Sequence, residues 1–239
     1  MKTPSAGSGP TMSLSAVGRV RVRERTSDRV YNELASAILE LRIVPGASLS
    51  EPDLAERLQV SRTPLREAIA RLVEVGLVSV IPQVGTRVEP IRLGDVEQAR
   101  FVRESLEVAA VAEVCARPER EVARLRELVV EQARGFREQG TEAFFAADEA
   151  LHREIFRLSG YPGAWEMMQP MKMQLDRIRR LSLPDPTTVR ALIAEHTEIV
   201  DAIEQGDAER ARALVGRHAR RVSDTAPAMR AKYPEYFAD

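Results

Sequence analysis

The sequence has few of the features that would take a protein out of the cytoplasm. It contains one cysteine, Cys115, among 239 residues, which excludes an internal disulfide. It also lacks any run of about 18 apolar residues, so a membrane-spanning helix is excluded. The first residues have no apolar stretch of the length that a secretory signal needs. We therefore predict a soluble cytoplasmic protein that has no membrane partner.

An excess of charge of one sign is also missing, since the net charge is −1 although 30% of the residues are charged. The apolar fraction of 44% excludes disorder throughout the chain and predicts one or two ordinary cores. A local excess of basic residues lies near the amino terminus, at Arg19, Arg21, Arg23, Arg25 and Arg29. This stripe can contact phosphates or belong to a solvated arm, and charge alone leaves both interpretations open. We predict a flexible tail over residues 1–25.

Residues 26–90 have the pattern of a small helical domain that ends in a β-hairpin. Apolar spacings of three and four predict helices over residues 27–42, 51–58 and 61–76. The β-branched residues on either side of residues 82–85 are typical of a hairpin with a glycine at its tip. Gly85 and Thr86 at this tip are candidates for contact with the minor groove or the backbone of DNA.

The start of the third predicted helix carries side chains that suit DNA. Arg62 and Arg66 lie four residues apart and so share the face opposite the apolar residues of that helix. An arginine can donate two hydrogen bonds to the edge of a guanine, whereas Ser61 and Thr63 at the helix start suit phosphate oxygens. These residues predict a helix that enters the major groove by its first turn.

The string SRTPLREAIARL, residues 61–72, carries a resemblance to a known family. With it, residues 27–90 resemble the winged helix-turn-helix domain of the GntR family of bacterial transcription regulators. The resemblance implies a homodimer that places two recognition helices on a palindromic operator in double-stranded DNA, with Arg62 and Arg66 contacting bases. Pro52 is a departure, because some members carry an arginine near the start of the preceding helix, and we expect no DNA contact there.

Residues 95–232 show only helical periodicity, interrupted by short segments of glycine and proline. They predict about six helices in an all-α antiparallel bundle. We predict a linker at residues 91–94 and a C-terminal tail at residues 233–239. The predicted fold class is therefore mainly α, with an N-terminal winged helix-turn-helix, a small β-hairpin wing and a C-terminal helical bundle.

The three histidines of the chain all lie on apolar stripes of predicted helices. Asp148 and His152 share the stripe of one helix, His196 lies in the stripe of another, and His218 in that of the last. A buried polar group without a partner costs about 1–3 kcal/mol, so we expect these four residues to meet. His196 and His218 are almost equally far from the predicted turn at Gly206, which places them level across an antiparallel helix pair.

Three imidazoles and one carboxylate predict a divalent metal site in the core of the bundle. Zinc is the first expectation, with nickel or manganese as alternatives, and open coordination positions would accept an oxygen of a ligand. For each histidine singly, a hydrogen-bonded core residue is the simpler explanation. The combination of all four residues favours the metal.

The strings DEALHREIFRLSG and AEHTEIVDAIEQGDAERARALVGRH carry a second resemblance, to the FCD effector-binding domain of the FadR subfamily. It implies that one aspartate and three histidines, at the four positions above, bind a metal that helps to hold a small carboxylate effector. It also implies that Arg103, in the string VRESLE, faces the effector cavity. An ion pair between Arg103 and Glu107, one turn along the same helix, is an equal alternative.

These features favour a DNA-binding transcription regulator that responds to a small organic acid with the help of a metal. We expect this regulator to be a repressor. One alternative is a metal-dependent hydrolase on a helical scaffold. We find no further histidine or carboxylate near the stripes to act as a general base, and we therefore predict that the protein is not an enzyme. A third interpretation is a regulator in which the metal is only structural.

Overall fold

The computed structural model describes residues 25–238, so Arg19, Arg21 and Arg23 of the basic stripe and nearly all of the predicted tail lie outside it. Within the described residues the chain forms nine α-helices, one three-stranded sheet and a short 3-10 helix. This architecture confirms the predicted fold class. In the same residues, every helix is too short or too polar to cross a membrane.

Three helices and the sheet form the winged domain. The helices are α1 (Thr26–Leu39), α2 (Glu51–Arg57) and α3 (Arg62–Glu74), and the strands are β1 (Ser48–Leu49), β2 (Val78–Ile81) and β3 (Gly85–Val88). The sheet is antiparallel in the order β1-β3-β2, and the predicted hairpin pairs Val78 with Val88. The sequence pattern did not predict β1, because a strand of two residues is too short to show alternation.

The winged domain packs around the apolar faces of α1 and α3. Ile38, Leu65, Leu72 and Leu77 are completely buried there. Gly76 ends α3 in the left-handed conformation, with φ of 69°, and the amide of Leu77 then donates to the carbonyl of Leu72. After this stop the chain continues into the wing.

Six further helices form the bundle, in agreement with the predicted number. They are α4 (Leu93–Ala116), α5 (Ala123–Gln139), α6 (Thr141–Ser159), α7 (Pro162–Ser182), α8 (Pro186–Gln205) and α9 (Ala208–Lys232). Helix α4 packs against α6, α7, α8 and α9. The inward faces of these helices supply the core, which includes Val111, Leu125, Leu151, Val200 and Ile203. Gly140, Gly160 and Gly206 lie at three of the helix ends, where each has a positive φ.

The junction between the two domains is short and tightly held. Ile91 is completely buried, and α4 begins two residues later. The amide of Ile91 donates to the carbonyl of Tyr236 at 2.8 Å, and the amide of Ala238 donates to the carbonyl of Ile91 at 3.0 Å. The residues predicted as a linker and a tail therefore pair with each other, because Ile91 and Phe237 both pack into an apolar cluster beside α9.

Candidate metal centre and DNA-contacting face

The four predicted metal ligands meet in the core of the bundle. Helix α6 supplies Asp148 and His152, α8 supplies His196, and α9 supplies His218. One nitrogen of each histidine lies within 4.8 Å of the others. The Nε2 atom of His196 lies 3.4 Å from Nε2 of His218 and 3.5 Å from Oδ1 of Asp148. All four side chains are buried, so they form one enclosed cluster of nitrogen and oxygen atoms.

The orientation of two imidazole rings is fixed by a hydrogen-bond partner at the Nδ1 atom. Gln132 on α5 places its Oε1 atom 2.8 Å from Nδ1 of His196, and Glu195 on α8 places Oε2 2.9 Å from Nδ1 of His218. An amide or carboxylate oxygen can only accept, so the Nδ1 atoms donate and the lone pairs remain on the two Nε2 atoms. This arrangement is the one that orients histidine ligands in metal sites.

His152 has a different environment. Its Nε2 atom lies 3.1 Å from Nη2 of Arg103, and its Nδ1 atom lies 3.3 Å from Oε1 of Glu107. Arg103 also donates from Nε to Glu107 at 2.8 Å, and both of these side chains are buried. The Arg103–Glu107 pair that the sequence offered as an alternative therefore forms, and it contacts the histidine cluster directly.

The protonation states in the cluster suit a cation. Burial alone would raise the pKa of Asp148, but the guanidinium of Arg179, which donates to Oδ2, holds that pKa well below its ordinary value. Burial and the neighbouring His218 lower the pKa of His196 well below its ordinary value, and burial lowers the pKa of His218. An ionised carboxylate and neutral imidazoles are the forms that coordinate a metal.

One atom of the cluster has no partner in the structure. The Oδ1 atom of Asp148 is buried and accepts no hydrogen bond, although it is close to Nε2 of His196. A buried carboxylate oxygen that lacks a donor is costly. A divalent cation among Asp148, His152, His196 and His218 would satisfy this oxygen and use the lone pairs on Nε2 of His196 and His218, so the residues present fit such an ion. His152 would exchange its contact with Arg103 for the ion.

A cleft adjoins the cluster, with His218 in its wall. Three arginines line it, and they become more exposed from the inside outward: Arg103, Arg179 and Arg221, with 3%, 14% and 35% of their side chains exposed. Among the described residues, no carboxylate lines the cleft, and hydroxyls of serine and threonine and several apolar side chains complete it. This composition suits a small anion with a short carbon skeleton.

Sequence reasoning missed several partners of the cluster and was wrong on one point. Glu107 is a further carboxylate within reach of a histidine, although we expected none. Gln132 was detectable, since it lies on the same buried stripe of α5 as Leu125 and Leu128. Arg179 gave no signal, because its pairing with Asp148 joins two helices.

The residues predicted to contact DNA lie on the exposed side of the winged domain. Ser61, Arg62, Thr63 and Arg66 are all exposed on the first turns of α3, opposite the buried Leu65. Ser61 is the N-cap residue, and its side chain caps no backbone amide. Together with Arg62 and Arg66, the wing lines a cleft that faces away from the core.

Arg66 and the wing differ in part from the prediction. Arg66 donates from Nε to Glu51 of α2 at 2.9 Å, but 67% of its side chain remains exposed. Gly85 is exposed, whereas only 4% of Thr86 is exposed because this residue lies on the inward face of β3. A DNA contact from the Thr86 side chain is therefore wrong, and Val84, with 73% of its surface exposed, lies at the tip instead.

Comparison with known proteins agrees with both halves of this description. Residues 26–88 match the family described as bacterial regulatory proteins, gntR family, and residues 98–221 match the family described as FCD domain. The two matches fall on the winged domain and on the bundle, in the order that the sequence predicted.

Individual relatives cover almost the whole chain. An HTH-type transcriptional regulator in an unstable DNA locus of Streptomyces ambofaciens is 39% identical over 219 residues, which is 90% of this chain and 91% of that protein. The HTH-type transcriptional repressor RspR of Escherichia coli is 25% identical over 214 residues, 89% and 94% of the two chains. The solved structure of E. coli McbR/YncC has a TM-score of 0.71 at 23% identity and covers 87% of this chain and 99% of that one. Both sequence relatives are named for transcription control, which leaves the hydrolase alternative without support.

Proposed function

The chain belongs to the gntR family of bacterial regulatory proteins and carries an FCD domain, and on this premise we propose a metal-assisted transcriptional repressor of the cytoplasm. It binds a palindromic operator as a homodimer and responds to a small organic acid. We assign DNA binding to residues 26–90 and effector and metal binding to residues 95–232. The repressor assignment is supported by the name of the E. coli relative RspR.

The observation that carries the metal part of this proposal is the unpartnered Oδ1 atom of Asp148. Asp148, His152, His196 and His218 hold the ion, zinc first and nickel or manganese as alternatives. Gln132 and Glu195 keep two of the imidazoles in the orientation that binding needs. When bound, the ion supplies positive charge and open coordination positions for an oxygen of the effector.

The acid enters through the cleft that adjoins the cluster. Its carboxylate lies among the guanidinium groups of Arg103, Arg179 and Arg221, which line the cleft. Each arginine retains an acidic partner within the protein, so the site is held in position before the ligand arrives. Three guanidinium groups beside a few apolar side chains favour a small acid.

On DNA, the first turns of α3 provide the reading surface. Arg62 and Arg66 contact base edges in the major groove, and Ser61 and Thr63 contact phosphates. The wing contacts the sugar-phosphate chain at Gly85, and the exposure of this residue supports that assignment. Arg66 has to exchange Glu51 for DNA, and this costs little because an exposed ion pair contributes about 0–1 kcal/mol. Two copies related by a two-fold axis match the two halves of a palindrome.

A melting-temperature screen tests the effector and the metal together. The purified protein is heated with a panel of small carboxylic and sugar acids, in the presence of zinc or of EDTA. We expect one class of acid to raise the melting temperature with zinc and to have no effect in EDTA, because a ligand that binds only the folded state stabilises it. A large fall in EDTA without a response to any acid would instead support a purely structural metal.

Selection of duplexes from a random library by the full-length protein tests the DNA part. We expect an enriched palindromic sequence whose affinity falls with salt and changes when the active acid is added. Enrichment of no sequence in any ligand state would contradict operator binding. A single half-site bound by one copy of the chain would contradict the dimer.

A further inference from the structure

Helix α7 belongs to the bundle but also contacts the winged domain. Gln174 on this helix donates from Nε2 to the carbonyl of Gly76 at 2.9 Å. Gly76 is the residue at which α3, the helix with the DNA-contacting residues, stops. One residue earlier on α7, Met173 packs against the core of the winged domain. The end of the DNA-contacting helix is thus attached to a helix of the effector domain.

Three residues further along the same helix, Arg177 holds the junction between the domains. It donates from Nη1 to the carbonyl of Glu89 at 2.6 Å and from Nη2 to the carbonyl of Pro90 at 3.3 Å. The residue is completely buried, and burial lowers its pKa to about 10. Among the described residues no carboxylate forms a salt bridge with it. Burying a guanidinium to bind two carbonyls is costly, and these two carbonyls belong to the segment that joins the domains.

The opposite side of α7 reaches the metal centre. Arg179 donates to Asp148, and it also donates from Nη1 to Glu149 at 2.8 Å. Gln174 and Arg177 are three residues apart and share one face of the helix, whereas Arg179 lies two residues on and points away from that face. Within six residues, α7 therefore contacts the candidate metal centre on one side and the winged domain on the other.

The junction is held from its other side by the end of α9, the helix that supplies His218. The backbone hydrogen bonds of Ile91 with Tyr236 and Ala238 connect the junction to the residues that follow this helix. Of the two helices that hold the junction, α9 thus contains a residue of the metal centre and α7 contacts one. A rigid helix that is displaced at one such contact must move at the others.

We propose that α7 transmits the state of the metal and acid site to the recognition helix, with Gln174 and Arg177 as the positioning residues for α3. The inference rests on the proposed function only for the identity of the signal. The contacts from Asp148 to Arg179 and from Gln174 to Gly76 are present in the structure independently of the proposed function.

A double-mutant cycle on the full-length protein tests this connection. The variants are Gln174→Ala, Asp148→Asn and the two combined, and the measurement is affinity for a duplex selected from a random library, in zinc and in EDTA. Unconnected residues would change the affinity by independent factors, so that the double variant shows their product within about twofold. We expect the double variant to deviate from that product by at least about threefold in zinc, in EDTA or in both.

Gln98→Ala is the matched control. Gln98 is exposed on α4 and lines a groove between α4 and α7 that Gln174 also lines. Its cycle with Asp148→Asn should be independent. If Asp148→Asn does not fold, Glu149→Gln removes another of the carboxylates that Arg179 contacts and serves in its place.

The outcomes separate this inference from the proposed function. Zinc affinity of Gln174→Ala, measured by competition with a coloured chelator, should equal that of the parent protein, since Gln174 does not touch the cluster. Independent effects in both conditions would overturn the role of α7 even if zinc and acid control DNA binding. Failure of zinc to bind would contradict the metal centre, while the cycle in EDTA would still decide the connection.

Discussion

The two domains use arginine in opposite ways. On the winged domain, Arg66 pairs with Glu51 at the surface, and 67% of its side chain is exposed. In the bundle, Arg103 pairs with Glu107 with only 3% of either side chain exposed. An arginine–glutamate pair is weak and easily exchanged when water surrounds it. In the interior the pair is strongly constrained, because a buried charge that loses its partner has no water to replace it.

This difference matches the two tasks that we propose for the protein. A helix that binds DNA needs cations that can leave their partners for a phosphate or a base. A site that holds a metal and a small acid needs its charges in position before the ligand arrives. The predictions below challenge this contrast between an exchangeable surface and a preorganised core.

The largest effect on stability is expected from lowering the pH. In the bundle, burial raises the pKa of Asp176, but Lys172 and Arg179 bring it below the ordinary value. Such a group stabilises the folded state fully above the pKa of the unfolded chain, about 4, and this contribution is lost as the pH falls below that value. We expect the metal-free bundle to unfold as the pH falls from about 4.

Fluorescence of Trp165, the single tryptophan and a buried residue of the bundle, reports this unfolding. Asp176→Asn should make the free energy of unfolding less dependent on pH below 4, since one of the buried titrating carboxylates is gone while Asp148 remains. An emission spectrum that stays native at pH 2 in EDTA would contradict the importance of the buried carboxylates.

Arg179→Met is expected to have the next largest effect. It leaves the buried carboxylates of Asp148 and Asp176 without the guanidinium that both contact. Removing one partner of a buried pair costs about 3–5 kcal/mol of unfolding free energy. Denaturant unfolding in EDTA measures this loss, and Arg66→Met at the surface is the matched control, with an expected change within about 0.5 kcal/mol. Equal losses in the two variants would remove the contrast between the domains.

Removal of the metal should have a smaller effect. At a free zinc concentration of roughly 100 times Kd, binding stabilises the folded protein by about 2.7 kcal/mol. We expect EDTA to lower the melting temperature of the parent protein and to leave that of His218→Gln nearly unchanged. A zinc-dependent shift of the same size in His218→Gln would show that the ion binds elsewhere.

Substitutions of Arg66 are expected to have the smallest effect on stability and a specific effect on DNA binding. Arg66→Ala should weaken binding to the selected operator by about 1–3 kcal/mol and relax the base preference at one position of each half-site. Arg66→Lys should retain the dependence on salt but not the base preference, because lysine lacks the planar fork of donors. Retention of the base preference by Arg66→Lys would assign Arg66 to phosphate contact instead.

Much of this protein could be predicted from local patterns. The helices of the winged domain, the hairpin and the inward positions of the three histidines follow from the spacing of apolar residues along single elements. The details that escaped are those of short or irregular segments. Helix α1 ends at Leu39, three residues before the predicted end, where the chain turns through Leu41 with a φ of 60°.

The sequence by itself determined which faces are buried, which residues of α3 face solvent and that Asp148 and the three histidines enter the core, since each of these depends on the period of one helix. Only the tertiary structure decided that Arg179 contacts Asp148, that Gln132 and Glu195 orient the imidazoles, and that Arg177 binds the domain junction. These contacts join residues on different elements, and their formation depends on how whole helices pack rather than on any local pattern.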